Sequence, residues 1–292
     1  MNNNQVKTDY KKCLFSFETI ILIVAVLFLT AINYYISYST KVEIIGQLSS
    51  GAEDLNITAL KAWIESYNGL EFFFRYYNLS DEFALSVLAI LVWLGIFVVG
   101  DFGKVRENGY GNLLVIRFKY KTFFKNYVVS RSLYIVSILG IITILQLVLA
   151  FALGGADTLV YSINEHTYNL LSCILIILLQ YVLIAFYLVS IFIIAISLSA
   201  LIRSNYVLQV LPVIVFAIVP MLIFSTLANM FNWSQFFVDL FVPFSYMTKS
   251  MIIISTLDIQ DAVSVIVSVL LFAILSKIMF AVNIRKMEGN YL

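Results

Sequence analysis

The chain has 292 residues, of which 62% are hydrophobic and 12% are charged, and its formal net charge is +1. Soluble domains contain about a quarter of charged residues, so this composition excludes a soluble globular protein. It predicts a polytopic membrane protein.

Six stretches are long and apolar enough to cross a bilayer as helices, which takes about 20 residues because backbone groups find no water there. They are residues 14–37, 83–100, 128–153, 168–201, 206–228 and 262–284. The first follows three lysines, but it is too long for a secretion signal and no cleavage site follows it, so we interpret it as a retained anchor. The sequence therefore predicts an all-α fold, with a single transmembrane domain over residues 1–292.

Lysine and arginine residues set the orientation, because cytoplasmic loops retain positive charge. With both termini in the cytoplasm, 14 of the 18 Lys and Arg residues fall inside and the remaining 4 fall outside. Most acidic residues fall outside, so the small net charge hides a strongly polarised molecule. We expect a multi-pass protein of the cell membrane, in a bacterial plasma membrane.

Three segments lie on the predicted outer side. Residues 38–82 are acidic, and their second half has apolar residues at helical spacing, which predicts an amphipathic helix on the outer membrane face. Its apolar and capping positions are Leu60, Trp63, Ile64, Tyr67, Leu70 and Phe74, with Asn56 or Thr58 as the cap. Residues 154–167 predict a short polar hairpin that contains His166, and residues 229–261, around Pro243, predict two short helices that re-enter the interface.

Motifs for catalysis or nucleotide binding are missing from the sequence. It contains no G-x-x-x-x-G-K-[ST], H-E-x-x-H, G-x-S-x-G or Cys/His cluster, so we expect no enzymatic activity and no cofactor or metal bound by this chain. Glu18 and Lys277 are the titratable residues that come closest to the interior of the spans; they either reach back to the headgroups or form an ion pair. Asn33, Gln146 and Gln180 either bond between helices or line a path for a polar group.

The cytoplasmic loop at residues 101–131 has a basic and aromatic pattern that differs from the spans. Apolar residues recur at steps of three and four, while Arg117, Lys121 and Lys125 recur at steps of four. This spacing predicts an amphipathic cytoplasmic helix. The helix either lies against anionic lipid, where each cation contributes about 1 kcal/mol, or binds a soluble partner.

The stretch VRENGYGNLLVIRFKYKTFFKNYVVSRSLY resembles the cytoplasmic loop between the second and third spans of type-2 ABC transporter permeases. That loop has a Glu, a Gly-Thr pair, a Leu pair and basic residues before the third span. The matching positions are Glu107, Gly109, Leu113, Leu114 and Lys125. Tyr110 replaces the Thr, and no Pro follows the Leu pair. Six spans, internal termini and short outer helices between the fifth and sixth spans also resemble this family over nearly the whole chain.

The resemblance implies a permease subunit that dimerises with an identical or a different permease chain and couples to a separate ABC ATP-binding subunit, which binds ATP and Mg. The basic loop would be a coupling helix in a cleft of that ATPase, where aromatic residues fill the cleft and cations bond acidic residues at its rim. We expect the coupling residues to be Glu107, Gly109, Tyr110, Leu113, Leu114, Arg117, Lys119, Lys121, Phe123, Phe124 and Lys125. No nucleic-acid partner is expected.

The cargo that the sequence favours is hydrophobic or amphipathic, because spans with so few charges do not suit a highly charged polymer. The acidic outer segment would suit a cationic amphipathic peptide, so antimicrobial-peptide export or immunity is the expected role. Two other interpretations stay open: a membrane scaffold or sensor that recruits a cytosolic signalling partner, and a lipid-modifying enzyme with an unrecognised site.

Overall fold

The computed structural model describes residues 10–11, 13–49, 68–78, 80–107, 120–155, 161–163, 166–202, 204–220, 222–223, 226, 230, 247 and 259–291. This part of the chain is almost entirely helical. Its helices are α1 (Phe17–Ser49), α2 (Gly69–Tyr77), α3 (Asp81–Trp93), α4 (Gly100–Glu107), α5 (Tyr120–Gly154), α6 (Leu170–Ser197), α7 (Asn205–Val213) and α8 (Ile259–Tyr291). A π-helical turn, Leu94–Val99, joins α3 to α4, and a second one, Ile214–Ile218, follows α7.

Five helices are long and apolar enough to cross a membrane. They cover Phe17–Gly46, Asp81–Val105, Tyr120–Gly154, Leu170–Ala200 and Val263–Met287, which confirms five of the six predicted spans. The fifth predicted span, residues 206–228, begins as the shorter apolar helix Asn205–Ile218, and half of the rest of it lies outside the described residues. So does nearly all of the predicted re-entrant segment, residues 229–261.

The first helix is longer than predicted at its C-terminal end and starts slightly later. Ser16 caps it by accepting a hydrogen bond from the backbone N–H of Thr19 at 3.4 Å, because a serine hydroxyl satisfies a donor that has no partner within the helix. The helix then continues to Ser49, into the predicted outer segment. Before the cap the chain lies against α5, where the Tyr10 hydroxyl donates to Ser137 Oγ at 2.8 Å.

Helix α2 lies inside the helix bundle, whereas the sequence predicts an amphipathic helix on the outer membrane face. Asn68 caps it by accepting from the backbone N–H of Glu71 at 3.0 Å. The side chains of Phe72, Phe73, Phe74 and Tyr76 are fully buried, because α2 packs against α1, α3 and α5. The proposed caps Asn56 and Thr58, and the apolar positions from Leu60 to Tyr67, lie outside the described residues.

Two glycines let α2 approach the end of α5. A Cβ atom on Gly154 would lie 2.6 Å from the backbone nitrogen of Gly69, and one on Gly69 would lie 2.6 Å from the Phe151 ring. The Gly69 N–H donates to the carbonyl oxygen of Gly155 at 3.0 Å, and Gly155 has a φ of 79°, which suits glycine. The predicted hairpin follows as two short antiparallel strands, β1 (Tyr161–Ile163) and β2 (His166–Tyr168), with Ile163 paired to His166.

Helix α5 contacts α1, α2, α6 and α8 and is the central element of the described bundle. Helices α6 and α8 lie beside it; they are parallel to each other and antiparallel to α5. The Tyr187 hydroxyl of α6 donates to Ser268 of α8 at 2.9 Å, and Asn283 of α8 donates to the carbonyl oxygen of Ser197 at 2.8 Å. These polar contacts, in the middle and at the C-terminal end of α6, hold the two helices in register.

Helix α3, the π-helical turn and α4 form one continuous helical segment, Asp81–Glu107, which we call the α3–α4 rod. A row of glycines on this rod allows α7 to pack closely against it. A Cβ atom on Gly95 would collide with the carbonyl oxygen of Gln209, and one on Gly103 would collide with the Asn205 side chain. Gly95 lies in the π-helical turn, and the facing helix α7 contains Pro212. The Gly95 contact therefore combines an irregular turn on one side with a helix that contains a proline on the other, and proline removes a backbone hydrogen bond.

We expect Gly95→Ala to lower the free energy of unfolding by about 1–3 kcal/mol, because the added methyl group overpacks a backbone contact. Gly140→Ala is the matched control, since its Cβ atom would lie 3.5 Å from the nearest atom, the Tyr181 hydroxyl oxygen. Denaturant unfolding of both variants in detergent micelles measures the difference. Equal stability of the two variants would show that the α3–α7 contact is looser than described.

Candidate functional site

The predicted coupling segment is described at its two ends. Glu107 is the last residue of α4, and α5 begins at Tyr120. Between them, six of the predicted coupling residues lie outside the described residues: Gly109, Tyr110, Leu113, Leu114, Arg117 and Lys119. Lys121, Phe123, Phe124 and Lys125 lie in the first turns of α5, so the basic loop continues directly into a helix long enough to span the membrane.

The first turns of α5 have one charged face and one buried face. Lys121 and Lys125 are exposed, as a binding surface for a soluble partner requires. The Phe123 side chain is only 7% exposed and that of Phe124 is fully buried. The sequence assigned these two aromatic residues to the cleft of a partner, but in the structure their rings pack inside this chain. Here the lysines, and not the phenyl groups, are the residues available to a partner.

Aromatic contacts pack the N-terminal turns of α5 against two other helices. The Phe124 ring stacks on Tyr120 at 5.6 Å between centroids, and it packs against Phe102 of α4 at 5.7 Å and Phe280 of α8 at 5.2 Å. Offset and edge-on ring pairs at such separations contribute about 0.5–1.5 kcal/mol each beyond the area that they bury. The Tyr120 hydroxyl also donates to Asn283 Oδ1 at 2.7 Å. The base of α5 is therefore part of the packed core.

A cluster around Arg131 lies two turns further along α5, and no sequence pattern predicted it. Arg131 Nη2 lies 3.1 Å from Asp101 Oδ2, Nη1 donates to the Cys13 sulfur, and the guanidinium lies 5.3 Å from the centroid of the Tyr127 ring. The Tyr127 hydroxyl donates to the carbonyl oxygen of Val98 at 3.2 Å. The cluster joins α4, α5 and the residues before α1, which are far apart in the sequence.

Glu18 and Lys277 do not pair in the structure. The side chain of Lys277 is exposed, and no ion pair within the described residues joins it to Glu18. Glu18 instead accepts from Ser16, and Lys104 is the cation that acts on it electrostatically. These surroundings agree with the alternative interpretation, in which each charge reaches the headgroup region separately.

Gln146 bonds between helices at the other end of α5. Its Nε2 donates to Thr30 Oγ1 at 2.8 Å, and its Oε1 accepts from the Tyr77 hydroxyl at 2.5 Å. Asn33 likewise donates to Glu82 at 3.1 Å, so the prediction of interhelical bonding is confirmed for these two amides. The remaining amide, Gln180, lines a neighbouring cavity of about 30 Å³, and its buried Nε2 has no hydrogen-bond partner among the residues that the structure describes. That volume is enough for one water molecule to satisfy it.

Glu71 of α2 is a carboxyl group held in an apolar setting. Its side chain is 15% exposed, and its Oε1 lies 2.8 Å from Arg75 Nε. Burial raises the pKa of Glu71, and the neighbouring guanidinium opposes that rise. Because the pKa is higher in the folded state than in the unfolded state, the folded state binds more protons. This contribution to stability is complete below the unfolded pKa and is lost as the pH rises through the folded pKa.

No protein-family model, curated protein or solved structure matches this chain. The resemblance to permeases therefore depends on the coupling-loop residues and the span pattern given above. Within the described residues, no group of three or more His, Cys, Asp or Glu side chains is placed to hold a metal ion.

We expect Arg131→Gln to lower the free energy of unfolding by about 1–3 kcal/mol, because it removes charge-assisted bonds from a partly buried cluster. Arg285→Gln, at an exposed position of α8, is the control. Denaturant unfolding in micelles compares the two variants. If Arg131→Gln is no less stable than Arg285→Gln, the cluster does not hold α4, α5 and the N-terminal residues together.

We expect Glu71→Gln to remove part of the loss of stability that accompanies a rise in pH above the unfolded pKa of glutamate, about 4.3. Glutamine stays neutral, so no charge develops in the apolar setting. Melting temperatures across this range, with the exposed Asp81→Asn as control, measure the effect. The expectation fails if the slope of the Glu71→Gln variant equals that of the unmodified protein.

Proposed function

We propose that this chain is the permease subunit of an ATP-driven ABC exporter, working with a second permease chain and a separate ATP-binding subunit that holds ATP and Mg. The observation that carries the proposal is the continuity of the basic coupling segment with α5, which is long enough to span the membrane. A docked ATPase that moves this segment moves a transmembrane helix with it.

The surface chemistry of the segment supports docking to an acidic partner. Lys121 and Lys125 are exposed one helical turn apart on α5, and neither has an ion-pair or hydrogen-bond partner among the described residues. Ammonium groups placed in this way can form charge-assisted bonds to carboxylates at the rim of a cleft. The predicted basic residues Arg117 and Lys119 would extend the same surface.

The buried face of the segment supports transmission of movement. Phe124 contacts Phe102 of α4 and Phe280 of α8, so displacement of the base of α5 acts on three helices at once. Packed aromatic cores shift between discrete arrangements more readily than they deform, and this suits exchange between inward-open and outward-open states. In this proposal the phenyl groups transmit the force and the lysines receive it.

The proposed cargo is hydrophobic or amphipathic, with a cationic antimicrobial peptide as the specific candidate. The acidic outer segment is the feature that supports a cationic cargo, and residues 50–67 of that segment lie outside the described residues. The proposed location is the bacterial plasma membrane, where such exporters operate.

We expect simultaneous reversal of charge by Arg117→Glu, Lys121→Glu and Lys125→Glu to release the ATPase that copurifies with this chain, without unfolding the bundle. The physical reason is repulsion between the new carboxylates and an acidic rim. Affinity purification from the native host, followed by assay of ATP hydrolysis, measures the loss. Arg285→Glu with Lys286→Glu is the control, because both residues are exposed on α8.

Phe124→Leu provides the complementary variant. The smaller side chain loosens the core, so it should lower the melting temperature while the ATPase still copurifies. The proposal is overturned if the triple reversal keeps its ATPase, or if the α8 control loses it equally.

A further inference from the structure

An open groove runs between α5, α6 and α8 and shares Lys125 with the predicted docking surface. Its volume is about 670 Å³, within the range of roughly 300–1,000 Å³ typical of pockets for small molecules. Its walls are apolar, and they include Val128, Val136, Val182, Ala185, Phe186 and Ala273. Such a surface suits a hydrocarbon chain.

Both charged residues among the described lining of the groove are lysines. Lys125 of α5 and Lys277 of α8 line it, both side chains are exposed, and no carboxylate lines it with them. The hydroxyl of Ser276, which also lines the groove, already donates to the carbonyl oxygen of Phe272 at 2.7 Å. The charged groups that the described lining offers a ligand are therefore two ammonium groups, which select an anion.

The two lysines lie at nearly the same level of the bundle. Phe124 and Phe280 face each other across α5 and α8 with 5.2 Å between ring centroids. Lys125 is one residue beyond Phe124, and Lys277 is three residues from Phe280 in the same direction along the antiparallel pair. At a rise of about 1.5 Å per residue, their α carbons differ by roughly 3 Å along the helix axes. Both ammonium groups can therefore reach one anionic headgroup.

The length of the groove matches one lipid leaflet. On α5 it extends from Lys125 to Val136, which is about 16 Å at the same helical rise. That distance is about half of the roughly 30 Å hydrocarbon core of a bilayer. A headgroup at the lysines would thus place an acyl chain along the valine-rich wall as far as the membrane midplane.

We propose that this groove is a binding site for an anionic phospholipid, whose phosphate lies between Lys125 and Lys277 and whose acyl chain lies along the apolar wall. A cationic peptide would meet repulsion from both lysines. A second copy of the chain, placed by a two-fold axis, would bring the same lysines toward each other. The inference does not depend on the proposed transport function, since it concerns lipid binding by the full chain alone.

Photo-crosslinking of the purified full-length protein in lipid vesicles tests the site. The probes are phosphatidylglycerol and phosphatidylcholine, each with a diazirine midway along one acyl chain, and digestion followed by mass spectrometry locates the adducts. We expect adducts at Val182, Phe186 or Ala273 from the anionic probe in several-fold excess over the zwitterionic probe. Lys125→Gln with Lys277→Gln should remove that excess, with about fivefold lost for each lysine.

Lys121→Gln is the matched control, because Lys121 is exposed one turn from Lys125 on the same helix and is not among the lining residues. Ala273→Trp, which fills the groove and keeps both lysines, should abolish adducts from either probe. The proposal is overturned if the two probes react equally or if Lys121→Gln has the effect of the double variant. A groove occupied by a second copy or by a peptide would exclude both probes, and the absence of adducts at these residues would also overturn it.

Discussion

The packing of Phe124 is the contact on which the end of this bundle near Tyr120 depends. Its ring touches Tyr120 of its own helix, Phe102 of α4 and Phe280 of α8. Helices in a bilayer gain little from burying apolar surface against one another, because lipid tails are equally apolar. Close ring geometry and interhelical hydrogen bonds must supply the specificity instead, and the bond from Tyr120 to Asn283 adds to it here.

The other end of the bundle is held in a different way. There Gln146 bonds Thr30 of α1 and Tyr77 of α2, and Gly154 allows α2 to touch the backbone of α5. Hydrogen bonds between buried amides and hydroxyls leave few unsatisfied groups, which matters more where water is scarce. One end of α5 thus combines ring stacking with a charged outer face, and the other combines ring contacts among Phe73, Tyr77 and Phe83 with a neutral polar network.

The secondary-structure elements could be predicted from the sequence better than the contacts between them. Five spans, the hairpin and the interhelical role of Gln146 follow from hydropathy, turn residues and the cost of burying an amide, which are local properties. The burial of α2 and the inward direction of Phe123 and Phe124 do not follow, because periodicity identifies the apolar face of a helix but not what covers it. The pairing of Arg131 with Asp101 brings together residues 30 positions apart in the sequence, and no local pattern marks such a pair.

Helix α5 contains 35 residues, so it is about 52 Å long against a hydrocarbon core of roughly 30 Å. Unlike the α3–α4 rod, it contains no π-helical turn, proline or break that would absorb bending. A regular helix of this length resists bending, so it would tilt as one piece about the aromatic contact near its base. A tilt of a few degrees there would displace its far end, and with it α2, which contacts Gly154.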